Sequence, residues 1–464
     1  MELLNAINAV VWGPVMLVLL VGTGLYLTLR LRLLPFRYLP HGFANLWKGR
    51  EKGHADHGEV SPFNALMTAL AACIGTGNIV GVSTAIFIGG PGALFWMWVT
   101  ALVGMGTKFA EVLLAVTYRE KTPAGNFVGG SMYFIKYGLG AKWAWLGTFF
   151  AFSGVIACFG IGNMVQCNSI ADAIQNTFGL PNYITAALLF AAVGVVVLGG
   201  VERIGDVAGK LVPGMAALYV LVSLVIFCMY IDKMPGIFLL VLREAFTPTA
   251  AQGGFVGATV MMAIRMGVAR GVFSNEAGLG SAPIAHAAAT TKSPITQALI
   301  GMLDPFIDTI IVCTMTGFTI LVTGQWCSGL VGAAIPSAAY EQALPGIGAI
   351  IVAVSLTLFA FTTVLGWSVY GDRCAIYLFG DKGQKPFRVL FCLVVPVGAV
   401  LKLDVVWLIA DTFNALMAIP NLIGLLLLSP VIFKLVDLWR DNPEKAAEEV
   451  RALRHKAGLP EENS

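Results

Sequence analysis

Apolar runs long enough to cross a bilayer recur along nearly the whole chain, and lipid leaves such runs few ways to fold. A backbone in hydrocarbon must satisfy its own N–H and C=O groups, and continuous rather than alternating apolar residues do so as helices. The runs lie near residues 8–33, 62–88, 93–118, 144–176, 182–200, 207–231, 254–275, 298–324, 346–371, 386–402 and 404–435. With 57% hydrophobic and 12% charged residues and a mean hydropathy of +0.81, the composition excludes an ordinary soluble protein. The chain reads as one integral domain, an all-α polytopic membrane protein of about 11 transmembrane helices.

Basic residues orient the spans. If the runs alternate sides, the connections after odd-numbered ones carry Arg30, Arg32, Arg37, Lys48, Arg50, Lys52, Arg119, Lys121, Lys136 and Lys142, among others. Only Lys233, Arg243 and Lys402 fall on the other side. The positive-inside rule then predicts the N-terminus outside and the C-terminus in the cytoplasm, with the protein multi-pass in the plasma (inner) membrane. The first basic residue is Arg30, so the opening run lacks the basic start of a signal peptide and is expected to be a retained helix.

Several features carry no chemistry on this reading. The eight cysteines are scattered singly and read as packing residues. His54 and His57 have metal-like spacing but no third ligand, and read as solvated. Nothing resembles a nucleic-acid patch. No Ser-His-Asp, metal or phosphate-cradling motif sits within the spans, and His286 is the one histidine close to them, so an enzyme is not expected. Residues 232–251 hold an apolar stretch too short to span, residues 325–345 suggest a short helix folded over the outer face as a lid, and 437–464 reads as a solvated helix.

The stretch Leu70-Ala-Ala-Cys-Ile-Gly-Thr-Gly-Asn-Ile-Val-Gly81 is too apolar for a loop and too rich in glycine for an unbroken helix. At 1.5 Å per residue, Gly75 lies roughly 20 Å from a helix start near Pro62, in the middle of a hydrocarbon core about 30 Å thick. A break at that depth must face protein or a polar cavity, although glycines alone also serve close helix packing. Setting the first helix aside, ten spans remain, and the second five run opposite to the first five. The second set opens with residues 253–280, which predict a second break around Gly267 to Asn275. Paired breaks at midplane are where transporters built from inverted repeats hold their substrates.

Residues 64–78 and 271–283, together with Gly104-Met-Gly-Thr-Lys-Phe-Ala-Glu111 and Thr362-Thr-Val-Leu-Gly-Trp-Ser-Val-Tyr-Gly371, closely resemble the alanine or glycine:cation symporter family of the amino acid-polyamine-organocation superfamily. The resemblance covers roughly residues 60–430. It implies a LeuT-type 5+5 inverted repeat with one extra N-terminal helix, divided as 1–61 for the extra helix and loop, 62–232 for the first repeat, 233–253 for the outer connection, 254–435 for the second repeat and 436–464 for the tail. It also implies uptake of alanine or glycine, L or D, coupled to sodium or, alternatively, to protons. A carrier of another small zwitterion is the competing reading.

The chemistry suits a zwitterion. N–H groups freed over Gly75, Thr76, Gly77 and Asn78 can bind a carboxylate at a half-helix start, and carbonyls freed near Gly267 to Phe273, including Gly271, can accept from an ammonium. By resemblance Gln166 hydrogen-bonds the substrate, and Phe273 and Trp367 wall its side chain; each also fits plain packing or an interhelical contact. By the same analogy sodium takes the carbonyls of Ala71, Ile74 and Phe359 with the hydroxyls of Thr362 and Thr363, and no cofactor is needed. The threonines can instead bond back to their own preceding turn. Segments 70–81, 158–168 and 355–367 hold no Asp, Glu or His, which favours sodium over protons. Glu276 is read as a proton carrier or as a partner for a half-helix end, Arg265 or Arg270. Lys108 and Glu111 are read as a pair, and Asp304 and Asp308 as sharing one face of their span.

Overall fold

The computed structural model describes residues 7–8, 11–50, 58–291, 293–401 and 404–460. The pair His54 and His57 lies outside the described residues. Among those described, seven helices are long and apolar enough to cross a membrane: Gly92–Thr117, Ala141–Phe178, Gly200–Met229, Pro294–Val322, Gly348–Phe379, Asp381–Val400 and Leu408–Leu427. Pro62–Cys73 and Gly77–Gly89 pass together as an eighth, bent by 51°. Pro14–Arg30 and Asn182–Val197 are apolar but shorter. The remaining apolar run holds the helix Val260–Asn275, which carries Arg265 and Arg270. Ala334–Ala343 forms a short helix within 325–345 as expected, and the short apolar stretch of 232–251 forms the helix Met234–Glu244.

The helices that build the site are α1 (Pro62–Cys73), α2 (Val82–Gly89), α3 (Gly92–Thr117), α4 (Ala144–Phe159), α5 (Val165–Phe178), α6 (Val260–Asn275), α7 (Ala282–Ala287) and α8 (Gly348–Phe379). Helix α1 starts with Ser61, whose Oγ accepts from the N–H of Asn64, and with Pro62, whose missing N–H costs nothing there. It stops where Ile74 turns to ψ 90°, and a π-helical turn over Gly77–Gly81 leads into α2. Helices α4 and α5 are likewise joined by a π-helical turn, Gly160–Met164.

The second break lies later than expected. Helix α6 continues through Gly267 and Gly271 to Asn275, and the chain opens over Glu276, Gly278 and Gly280, whose φ angles are 55°, 90° and 78°. Gly267 and Gly271 are one helical turn apart and both face α3: a Cβ on Gly267 would stand 2.4 Å from the Ala93 carbonyl, and one on Gly271 2.3 Å from Thr100 Oγ1. They serve close helix packing, which a periodicity of glycines cannot distinguish from a break.

On one face of the molecule the chain entering α1 lies against the chain leaving α7. Val60 N–H donates to the Ala288 carbonyl at 3.1 Å and Thr290 N–H to the Val60 carbonyl at 2.7 Å. Arg119, just past the end of α3, donates to the carbonyls of Ala287 and Ala289 at 3.1 and 2.6 Å. The tail reaches the same region. Arg454 of the helix Pro443–Lys456 is 4% exposed and donates to the carbonyls of Thr117 and Arg119 at 3.1 and 3.0 Å, so the tail is docked rather than wholly solvated.

Candidate functional site at the paired helix breaks

In an unbroken helix the N–H of Gly75 would bond the carbonyl of Ala71, and that of Asn78 the carbonyl of Ile74. Here Gly75 N–H donates instead to Asn78 Oδ1 at 2.8 Å, and Asn78 N–H to the Gly75 carbonyl at 3.3 Å. The carbonyls of Ala71 and Ile74 are thereby released, and both turn toward α8. Thr363 Oγ1 lies 3.1 Å from Ala71 O, 3.3 Å from Ile74 O and 3.0 Å from Phe359 O. One hydroxyl proton cannot serve three carbonyls, so the corner is rich in oxygen acceptors and poor in donors. The approach is made possible by Gly366, where a Cβ would stand 2.6 Å from the Ala72 nitrogen. Thr362 joins less fully: its Oγ1 donates to Phe359 O at 3.0 Å and lies 3.5 Å from Met215 Sδ. The bonds of both threonines to Phe359 O are also the back-bonds expected of hydroxyls in a helix, so the two readings coexist here.

The first break and the turn between α4 and α5 meet at Gln166. Its Oε1 accepts from Thr76 N–H at 3.4 Å, and its Nε2 donates to the Ile161 carbonyl at 3.1 Å. A Cβ on Gly75 would lie 2.4 Å from Thr363 Oγ1 and 3.4 Å from Gln166 Oε1, so Gly75, Gln166 and Thr363 share one corner. Two of the N–H groups expected to be free for a carboxylate, those of Gly75 and Thr76, thus have side-chain partners in this arrangement. Thr76 Oγ1 is buried without a hydrogen-bond partner among the described residues.

Asp308 ties this break to the second one. Its Oδ1 accepts from Asn78 Nδ2 at 2.6 Å, and its Oδ2 from Ser274 Oγ at 2.8 Å and Thr309 Oγ1 at 2.7 Å. The carboxylate is fully buried. Asp308 and Ser274 were not among the expected site residues, although a carboxylate inside an apolar run is itself a functional signal. Asp304, on the same span, turns instead to Lys108, at 2.8 Å with both side chains fully buried. Lys108 therefore pairs across helices and not with Glu111, whose Oε1 accepts from Gly278 N–H at 3.1 Å and from Asn421 Nδ2 at 2.6 Å. Glu276 takes neither Arg265 nor Arg270: its Oε2 accepts from Ser281 Oγ at 2.6 Å, across the second break.

The two expected wall residues have different neighbours. Phe273 stands against Gly77, where a Cβ would meet its Cδ1 at 3.2 Å. Trp367 is buried against the Gly160–Met164 turn and Tyr370, ring centroids 5.5 Å apart, and its carbonyl accepts from Cys158 Sγ at 3.0 Å. Gly271 does not join them, since it faces Met97 and Thr100. Among the described residues no group of His, Cys, Asp and Glu is placed to hold a metal ion in the manner of a transition-metal site.

The whole arrangement has relatives. A profile of the sodium:alanine symporter family matches residues 1–452. The chain is 53% identical over 436 residues to an uncharacterized transporter of Haemophilus influenzae, covering 93% of this chain and 94% of that one. It is 49% identical over 440 residues to the sodium/alanine symporter AgcS of Methanococcus maripaludis, covering 93% and 95%. In fold it is similar to the crystal structure of MhsT in complex with L-phenylalanine, with a TM-score of 0.56 and 15% identity over 86% of this chain and 99% of that one. A multi-pass helical chain with paired breaks, matched along nearly its whole length, is a transporter and not an enzyme, and it belongs to the sodium:alanine symporter family.

Proposed function

We propose that the protein is a sodium-coupled symporter that takes up a small neutral amino acid, alanine or glycine, by alternating access. The observation that carries this reading is the corner formed by Thr363 Oγ1 and the carbonyls of Ala71, Ile74 and Phe359, 3.0–3.3 Å from that hydroxyl. Neutral oxygens in excess of donors suit a hard monovalent cation, and two of the carbonyls are available only because α1 ends there. Thr362 adds a fifth oxygen by a small rotation of its side chain.

The substrate lies next to this ion, between the first break and the end of α6. Its carboxylate takes the N–H groups of the Gly75–Asn78 stretch, displacing Asn78 Oδ1 and Gln166 Oε1, with Thr76 Oγ1 as a further partner. Its ammonium faces the last carbonyls of α6, which lack intrahelical partners, at Phe273 rather than at Gly271. Gln166, so released, bonds the substrate. Phe273 and Trp367 limit the side chain to a methyl group or a hydrogen. Because Asp308 holds Asn78 and Ser274 together, ordering either break orders the other.

In this reading residues 62–232 and 254–435 are two inverted five-helix repeats following one extra helix, with 233–253 connecting them outside and 436–464 in the cytoplasm. The relative AgcS, named for sodium and alanine, supports both solutes here. The test is uptake of labelled alanine and glycine, in L and D forms, by proteoliposomes with and without a sodium gradient. Accumulation that needs sodium is expected. Accumulation driven equally well by a proton gradient alone overturns sodium coupling.

A further inference from the structure

A groove opens between α4, the end of α8 and the helix that follows it, α9 (Gln384–Val400). It has a volume of about 390 Å³ and is walled by Val155 and Phe159 of α4, Phe379 of α8, and Phe387 and Leu390 of α9, with Lys382 at the turn between α8 and α9. Within it the Phe159 and Phe387 rings pack with centroids 5.4 Å apart. Phe379 is 69% exposed and Leu390 52%, apolar surface that water opposes and hydrocarbon accepts. The edge of the hydrocarbon therefore runs between these two residues and the polar turn at 380–383.

Partners sort the charges at this turn. Asp381 is taken by the loop after α3: its Oδ2 accepts from Ala124 N–H at 3.1 Å and its Oδ1 from Asn126 Nδ2 at 3.3 Å. Arg388 and Gln384 are held by Asp372, at 2.8 and 3.1 Å. Lys382 and Lys385 are exposed and make no ion pair within 4.0 Å among the described residues. The charge left free at the mouth is thus positive, beside a groove whose walls are hydrocarbon. Only an amphiphile with an anionic head matches both, and basic residues between transmembrane helices at the membrane boundary are where anionic headgroups bind.

We propose that this groove is a binding site for an anionic phospholipid, with one acyl chain between Phe159 and Phe379 and the phosphate on Lys382 and Lys385. A zwitterionic phospholipid fills the groove equally well but brings a cation of its own to the lysines, so the site selects for net charge. The bound lipid bridges α4, which leads to Gln166, and α8, which carries Thr363, and steadies the two helices against each other.

The experiment follows phospholipid binding to the full-length protein by native mass spectrometry, as phosphatidylglycerol or phosphatidylcholine is titrated in. A basic residue near an anionic headgroup contributes about fivefold in binding, so the first phosphatidylglycerol should bind at least roughly tenfold more tightly than the first phosphatidylcholine. Lys382→Gln with Lys385→Gln should erase that preference. Lys445→Gln with Lys456→Gln, which removes two exposed tail lysines, should keep it. Val155→Trp, which fills the groove without touching a charge, should weaken the first phosphatidylglycerol, and Phe379→Ala, which removes an exposed wall, should do so as well. Equal binding of the two lipids overturns the site. So does a preference that survives the Lys382 and Lys385 pair, or one that the tail pair removes equally. Unchanged phosphatidylglycerol binding in both Val155→Trp and Phe379→Ala also overturns it, by placing the lipid outside the groove.

Discussion

The hydroxyl of Thr363 lies 3.1 Å from the carbonyl oxygen of Ala71, across 292 residues of sequence. Removing that oxygen in Thr363→Ala should raise the sodium concentration for half-maximal alanine uptake by roughly tenfold or more, from the 1.5–3 kcal/mol typical of bonds to a charged partner. Thr363→Ser keeps the oxygen and should stay near wild type. An alanine variant with unchanged sodium dependence shows that the ion binds elsewhere.

In the proposed function ion and substrate share the backbone between Ala71 and Asn78, so each should tighten the other's binding. Couplings of this kind are on the order of 1–3 kcal/mol, roughly 5- to 150-fold, and linkage makes them equal in both directions. Calorimetry of alanine binding with and without sodium checks the factor. Alanine affinity indifferent to sodium is incompatible with the proposed coupling.

Asp308 is the clasp between the two breaks. In Asp308→Ala the side chains of Asn78, Ser274 and Thr309 lose their carboxylate acceptor, at about 1–3 kcal/mol for a buried donor left unpaired, while Asn78 Nδ2 keeps the backbone carbonyl of residue 308 at 3.2 Å and Ser274 Oγ keeps Cys313 Sγ at 3.3 Å. The variant should melt several degrees lower, and hydrogen exchange should rise at residues 74–81 and 273–280 together. Loosening of one segment without the other argues against a clasp.

Lys108 and Asp304 form a fully buried pair. Breaking it from one side, as in Lys108→Met or Asp304→Leu, should cost about 3–5 kcal/mol by leaving a charge unmatched. The double variant should recover much of that loss, because both charges are then gone. Thermal unfolding of the four proteins measures the coupling, and additive losses contradict a direct pair.

The short helix Ala334–Ala343 is held by Glu341, whose carboxylate accepts from Ala349 N–H at 3.0 Å and Gly346 N–H at 2.6 Å. These bonds hold its pKa below the ordinary carboxylate value, Ala349 contributing most. A group depressed in this way stabilises the fold above its unfolded pKa and loses that effect as pH falls through the folded one. Exchange at Gly346 and Ala349, corrected for intrinsic rates, should therefore stay constant from neutral pH down to the ordinary carboxylate range and rise only below it. A rise beginning near neutrality places the control of this segment elsewhere.

Membrane class, helical architecture and the first break were legible in the sequence, because bilayer thickness and unsatisfied backbone groups constrain residues close together in the chain. Gly75 and Gly77 sit among apolar residues about midway along an apolar run long enough to span a bilayer, and no lipid-facing helix tolerates that pattern without a reason. The second break was misplaced, since Gly267 and Gly271 look alike whether they open a helix or let it touch α3, and only the neighbour at Ala93 to Thr100 decides. Charge partners were equally out of reach. Lys108 and Glu111 share a helix face, which local spacing reports, yet Asp304 and Asn421 are nearer in space and local spacing cannot see them. Asp308 reached the site for the same reason: whether a buried carboxylate meets Asn78 and Ser274 depends on how three distant helices pack, and that is fixed by the tertiary fold alone.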